Sequence, residues 1–119
     1  MNPFFCPDKI CIYCRPQDMR AGINRLAETV IAETGGKPTD GGLYVFVSRN
    51  CKKVKMVRFE SPTWCMYTIS LAKGKLRWKH SKDGGMTLEV ERRQLLWLLE
   101  GLPIEQPDAV KPVTATGIL

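Results

Sequence analysis

Four β-prone segments crowd into the stretch from Leu43 to Trp78, with only short turns between them. Leu43-Tyr44-Val45-Phe46-Val47 is an unbroken apolar run, the pattern of a strand buried on both faces. Ser48-Arg49-Asn50-Cys51 reads as a turn, and Lys52 to Phe59 as the returning strand. Pro62 breaks the chain, Trp64 to Leu71 supplies a third strand, and Lys73-Gly74 turns into a short fourth, Lys75–Trp78. A parallel crossover needs about a dozen residues or more, which none of these turns has, so the pattern predicts an antiparallel meander.

Outside this stretch the hydrophobic period is helical. Met19, Ile23, Leu26, Ala27, Val30 and Ile31 form one stripe of a helix that Gly35-Gly36 ends. Asp18, with Pro16 upstream, is the predicted N-cap. Ile10 to Cys14 reads as a strand ending at Arg15-Pro16. Thr87 to Leu102 reads as a second helix with Leu95, Leu98, Leu99 and Leu102 on one side, Glu89 and Glu91 in its first turn, and Gly101-Pro103 at its end. The expected fold is α+β, in the order β-α-β-β-β-β-α. An antiparallel sheet carries one long helix packed on a face, followed by a C-terminal helix. A chain of 119 residues suits one domain. Residues 1–102 are assigned to it, and 103–119, with several prolines and no period, to a disordered tail.

Several functional classes find no support. No window approaches the roughly 18 apolar residues of a membrane helix. Met1 to Pro7 has no basic region leading into a long apolar stretch, so no secretory signal is expected and the cytoplasm is the expected compartment. Cys11 and Cys14 form a lone C-x2-C; zinc needs two further ligands, and neither Cys6 and His80 nor the isolated Cys51 and Cys65 make a second pair. Buried thiols in a reducing compartment are the simpler reading. Gly35-Gly36-Lys37-Pro38-Thr39 fails as a phosphate loop because its glycines end a helix instead of opening one. His80, the only imidazole, has no orienting carboxylate close in sequence. Asp18, Asp40 and Glu60 have no spacing that makes them converge on a metal. No catalytic residue, cofactor or metal is nominated, and the chain is expected not to be an enzyme.

Charge is more informative. Of the 18 Lys and Arg residues, ten lie between Arg49 and Lys82, opposed there by Glu60 alone. The net charge of +6 therefore combines a strongly basic third with a mildly acidic remainder. Lysines can simply blunt a sheet edge, but such clustering favours a polyanion-facing surface. Phe59, Trp64, Tyr67 and Trp78 interleave with it and offer either base-stacking faces or core packing. No helix-turn-helix or zinc-finger spacing is present, so any DNA contact is expected to be non-specific.

In order along the chain, Asp18-Met19-Arg20 with Gly22-Ile23 and Leu26, then Gly42-Leu43-Tyr44-Val45-Phe46, then Lys53 to Val57 open a signature. Leu71, Lys73-Gly74, Leu76 with Arg77-Trp78, and Gln94-Leu95 to Leu98-Leu99-Glu100-Gly101-Leu102 complete it. This succession resembles the small Orf2-like accessory protein of insertion sequence family sixty-six. The chain departs from the family at two hairpin turns. Arg49-Asn50-Cys51-Lys52 stands where several arginines and an aspartate are usual, and Arg58 to Thr63 replaces a glycine-containing turn. The resemblance implies an element-encoded protein that works beside a transposase, without catalytic residues of its own. The expected partners are DNA and that transposase, with no membrane, and the oligomeric state is open. The expected DNA-binding residues are Arg20, Arg49, Lys52, Lys53, Lys55, Lys73, Lys75, Arg77 and Lys79, carried largely on the sheet face opposite the first helix. The alternative is an adaptor that docks the transposase through strand edges or the leucine-rich end helix and has no direct DNA role.

Overall fold

In the computed structural model, which describes residues 9–78 and 87–103, the apolar run around Leu43 is the middle strand of a five-stranded sheet. The elements are β1 (Lys9–Tyr13), α1 (Ile23–Glu33), β2 (Gly42–Val47), β3 (Lys53–Glu60), β4 (Thr63–Ser70), β5 (Thr87–Val90) and α2 (Arg92–Leu99), and the strand order is β4-β3-β2-β1-β5. Every residue of β2 is buried, as a central strand covered on both faces requires.

The fold class is α+β, as the sequence indicates, and the meander holds for β2, β3 and β4, which pair antiparallel in succession. The sheet as a whole is mixed. The connection from β1 to β2 contains α1 and is long enough for a crossover, so β1 runs parallel to β2 with Ile10 opposite Leu43. The expected fourth meander strand is absent. Residues 75–78 instead cross a face of the sheet, burying Leu76 and Trp78. The fifth strand comes from the start of the expected second helix: Val90 is buried and Leu88 half-buried while Thr87 and Glu89 are exposed, a period of two, and the segment pairs antiparallel with β1. A capping box then starts α2, the Glu91 N–H donating to Gln94 Oε1 at 2.8 Å. Likewise α1 begins later than expected, at Ile23, and its N-cap is Gly22. Asp18 is already engaged, accepting the Arg20 backbone N–H at 2.9 Å and so closing a turn before the helix.

Two cores follow from the alternation of side chains along the strands. On one face Cys11, Tyr13, Tyr44, Phe46 and Val57 pack under Leu26 and Val30 of α1, with the Tyr13 and Phe46 rings stacked 4.3 Å apart. On the other, Ile12, Val45, Val54 and Met56 pack under Leu76, Trp78, Leu95 and Leu98. Each fully buried leucine contributes about 1.5–3 kcal/mol relative to exposure. The face opposite α1 is therefore core and does not present the basic strip. Of the expected tail at 103–119, all but Pro103 lies outside the described residues.

Candidate nucleic-acid interface

The basic residues gather at one end of the sheet, where β2 ends and β3 begins. The turn between them is ordered by Ser48, whose hydroxyl donates to Asn50 Oδ1 at 2.7 Å and accepts the Lys52 and Lys53 N–H groups at 3.2 and 3.0 Å. Cys51 takes a left-handed conformation, with φ of 58°, to close it. Arg49, Lys52 and Lys53 are left exposed on a fixed backbone.

A second segment is tied to this turn. The Leu71 N–H donates to the Lys52 carbonyl and the Leu76 N–H to the Cys51 carbonyl, both at 2.8 Å, so the loop carrying Lys73 and Lys75 stands beside it. Beyond the loop, Leu76 and Trp78 point into the core while Lys75 and Arg77 are exposed. Trp78 is 6 % exposed, and its indole N–H donates to the Tyr13 carbonyl at 2.9 Å. Trp78 is thus a structural anchor and offers no face for base stacking. Phe59 and Trp64 pack on each other, centroids 4.7 Å apart, at the opposite end of their strands from the basic turn.

The third segment is the loop into α1. The Gln17 N–H donates to the Val47 carbonyl at 2.8 Å and prolongs the parallel pairing beyond β1. Between this loop and the turn lies a cleft of about 780 Å³. Its walls are Pro16 to Met19 on one side and Ser48, Arg49, Asn50, Lys52 and Lys53 on the other, with Ser70 and Leu71.

A family model described as "IS66 Orf2 like protein" matches residues 8–109. The chain belongs to that family. Over 108 residues it is 25% identical to "Uncharacterized protein y4jC" of Sinorhizobium fredii (strain NBRC 101917 / NGR234), an alignment covering 86% of this chain and 92% of that protein. No solved structure matches it. The IS66 Orf2-like family is one of transposition-associated accessory proteins and is not known to be catalytic.

In this IS66 Orf2-like protein the Asp18-Met19-Arg20 signature is not a helix start: Asp18 and Met19 stand in a wall of the cleft and Arg20 beside it. The Arg20 guanidinium grips the Asp18 carboxylate, with Nη2 to Oδ2 at 2.7 Å and Nε to both oxygens at 3.1 Å. Those hydrogen bonds, with the charge of Arg20, hold the Asp18 carboxyl well below the usual carboxylate range and raise the guanidinium in turn. Arg20 and Arg25 line a smaller hollow that shares Gln17 and Asp18 with the cleft. Arg25 escaped the sequence reading because only the fold brings the start of α1 beside this loop.

Lys55 is placed differently from its neighbours. It lies on the α1 side of β3, half-buried, and its ammonium donates to the Ala21 carbonyl at 2.9 Å. Lys79 lies outside the described residues. Asp18, Asp40 and Glu60 do not converge. Asp40 accepts the Ser61 N–H at 2.8 Å and Glu60 lies 3.6 Å from the Arg58 guanidinium, at the other end of β3 from Asp18. Among the described residues no three His, Cys, Asp or Glu side chains are grouped as metal ligands, and no helix is long and apolar enough to cross a membrane. Burial raises the Cys11 thiol above its ordinary pKa, which disfavours a reactive thiolate.

Proposed function

We propose that this protein is a non-catalytic accessory of DNA transposition that holds the DNA backbone at the basic end of its sheet. Arg49, Lys52, Lys53, Lys73, Lys75 and Arg77 make the phosphate contacts, with Arg20 at the margin and Lys55 bracing the loop behind them; Lys79, outside the described residues, is assigned to the contact from its place in the sequence alone. One observation supports this most: three segments distant in sequence are tied together by backbone hydrogen bonds so that their cations stand around one end of the sheet. Among the described residues Arg49, Lys52, Lys53, Lys73, Lys75 and Arg77 are in no salt bridge, so they are available to displace counterions from a polyanion. Among the described residues no element of the basic end is a helix suited to a major groove, which favours binding that is insensitive to sequence. The site belongs to a single domain spanning residues 1–102, working in the cytoplasm, where the element's DNA and transposase are both present.

Titration of a labelled duplex at graded salt tests the reading. With about five phosphates neutralised, log affinity falls against log salt with a slope near −4 to −5. An affinity flat between low and moderate salt overturns it.

A second reading, docking of the element's transposase with no direct DNA role, is favoured by α2 and its end, where Leu96 and Leu102 are 41% and 39% exposed. It expects co-purification with the transposase that survives nuclease and high salt and is lost on Leu96→Asp.

A further inference from the structure

The two edges of the sheet are built unalike. The β5 edge is four residues long, carries Glu89 and is followed at once by Glu91, features that discourage another strand from adding there. The β4 edge, Thr-Trp-Cys-Met-Tyr-Thr-Ile-Ser, is eight residues long with no charged side chain and no proline. None of its residues is buried, and among the described residues no strand lies beyond it. An edge of this length and composition is a template for strand pairing.

Its outward groups are identifiable. The Leu71 N–H donates to the Lys52 carbonyl, and bonding alternates along an antiparallel ladder. The odd-numbered residues of β4 therefore bond to β3, while Trp64, Met66, Thr68 and Ser70 turn their N–H and C=O groups away from the sheet. We infer that this edge pairs with the same edge of a second copy of the chain, antiparallel, about a twofold axis at Tyr67.

That register sets Trp64 opposite Ser70 and Met66 opposite Thr68 of the second copy, so every outward N–H and C=O of β4 finds a partner. It also keeps the two α1 layers on one side of a continuous ten-stranded sheet. Charge selects the antiparallel arrangement. The chain carries +6, and its basic end lies where β4 finishes and Leu71 begins. Parallel pairing would bring two basic ends together. Antiparallel pairing points them in opposite directions, with the Ser70 positions about 20 Å apart along the strands at roughly 3.4 Å per residue. The interaction is independent of the proposed DNA contact, since no residue of β4 except Ser70 touches the cleft.

Nuclease-treated full-length protein is examined by sedimentation equilibrium from micromolar to submillimolar concentration. The expected mass rises from 13.5 kDa toward twice that value. Thr68→Pro removes an outward donor from each copy at a position where an edge strand tolerates proline, and should weaken the dimer on the order of tenfold or more. A mass that stays monomeric throughout, or a dimer unchanged by Thr68→Pro in a folded variant, overturns the proposal. If that variant does not fold, amide exchange on the unaltered chain decides. Slowing at residues 64, 66, 68 and 70 that grows with concentration supports the pairing; fast exchange, or protection independent of concentration as cover from the chain's own terminal segments would give, overturns it.

Discussion

Lys55 Nζ donates to the Ala21 carbonyl across 2.9 Å, joining the middle of β3 to the loop that feeds α1. Hydrogen bonds to a charged group are stronger than neutral ones, and this one is partly shielded from water. Lys55→Met keeps the apolar stem and removes the bond, so it should cost about 1 kcal/mol of stability in a urea titration. It should leave the salt slope of DNA binding almost unaltered. Lys52→Ala, at an exposed site, should do the reverse: little change in stability and a slope shallower by about 0.9.

That contrast marks what the sequence could convey. Lys53 and Lys55 share a strand face by alternation, and both were expected at the DNA surface. Alternation places side chains on a face but does not say what covers that face, and here α1 does. The apolar run of β2 and the turns after it are local signals, so the three-strand meander was legible. The parallel pairing of β1 depends on where a long crossover lands, which no local pattern encodes. In Thr87-Leu88-Glu89-Val90 four residues are too few to separate a period of two from a helical start, so β5 was absorbed into the second helix. The clustering of basic residues was visible in the sequence, but the cleft was not, because backbone N–H groups of Gln17, Leu71 and Leu76 create it and every residue type except proline can donate such bonds.

Trp78 tests the structural assignment of the Arg-Trp signature. Its ring fills the core opposite α1, and its N–H satisfies the Tyr13 carbonyl. Trp78→Phe retains much of the apolar contact while leaving that carbonyl without its donor and a small void. A loss of about 1–3 kcal/mol in denaturant unfolding is expected. If the tryptophan instead served base stacking, the variant would keep its stability and lose affinity for single-stranded DNA.

Along α2 the exposed and buried leucines alternate in role. Leu98 is fully buried and Leu95 nearly so, whereas Leu96 is 41% exposed. Leu98→Ala should cost about 2–5 kcal/mol, while Leu96→Ala stays within about 0.5 kcal/mol. Thermal melts of the two variants separate these outcomes. Only changes at Leu96 or Leu102 can then report on transposase docking, because polar substitutions at Leu95 or Leu98 would abolish binding simply by unfolding the helix from the sheet.

The Asp18–Arg20 pair allows a pH prediction and a functional one. Both side chains are exposed, 54% and 92%, so the pair adds little to stability, and Arg20→Ala should leave the unfolding midpoint nearly unmoved. Because the folded-state pKa of Asp18 is depressed, whatever the pair contributes is fully present above the ordinary carboxylate range. It is lost only as pH falls below that range, through the depressed value. A carboxyl carbon titration by NMR should show Asp18 still ionised at pH values where an unperturbed aspartate is half protonated. In Arg20→Ala it should return toward the ordinary value, because the guanidinium hydrogen bonds are the largest cause of the shift. Asp18 is also the acidic residue in the cleft wall, and it occupies a cation that a phosphate would otherwise attract. Asp18→Asn keeps an oxygen for the Arg20 backbone N–H while removing the negative charge, so the loop should hold its shape and duplex affinity at low salt should rise severalfold. Arg20→Ala should lower that affinity modestly. An Asp18→Asn protein that is folded but binds DNA no better, with Arg20→Ala also without effect, would place the signature outside the DNA surface and leave the turn at Arg49 and Lys52 as its centre.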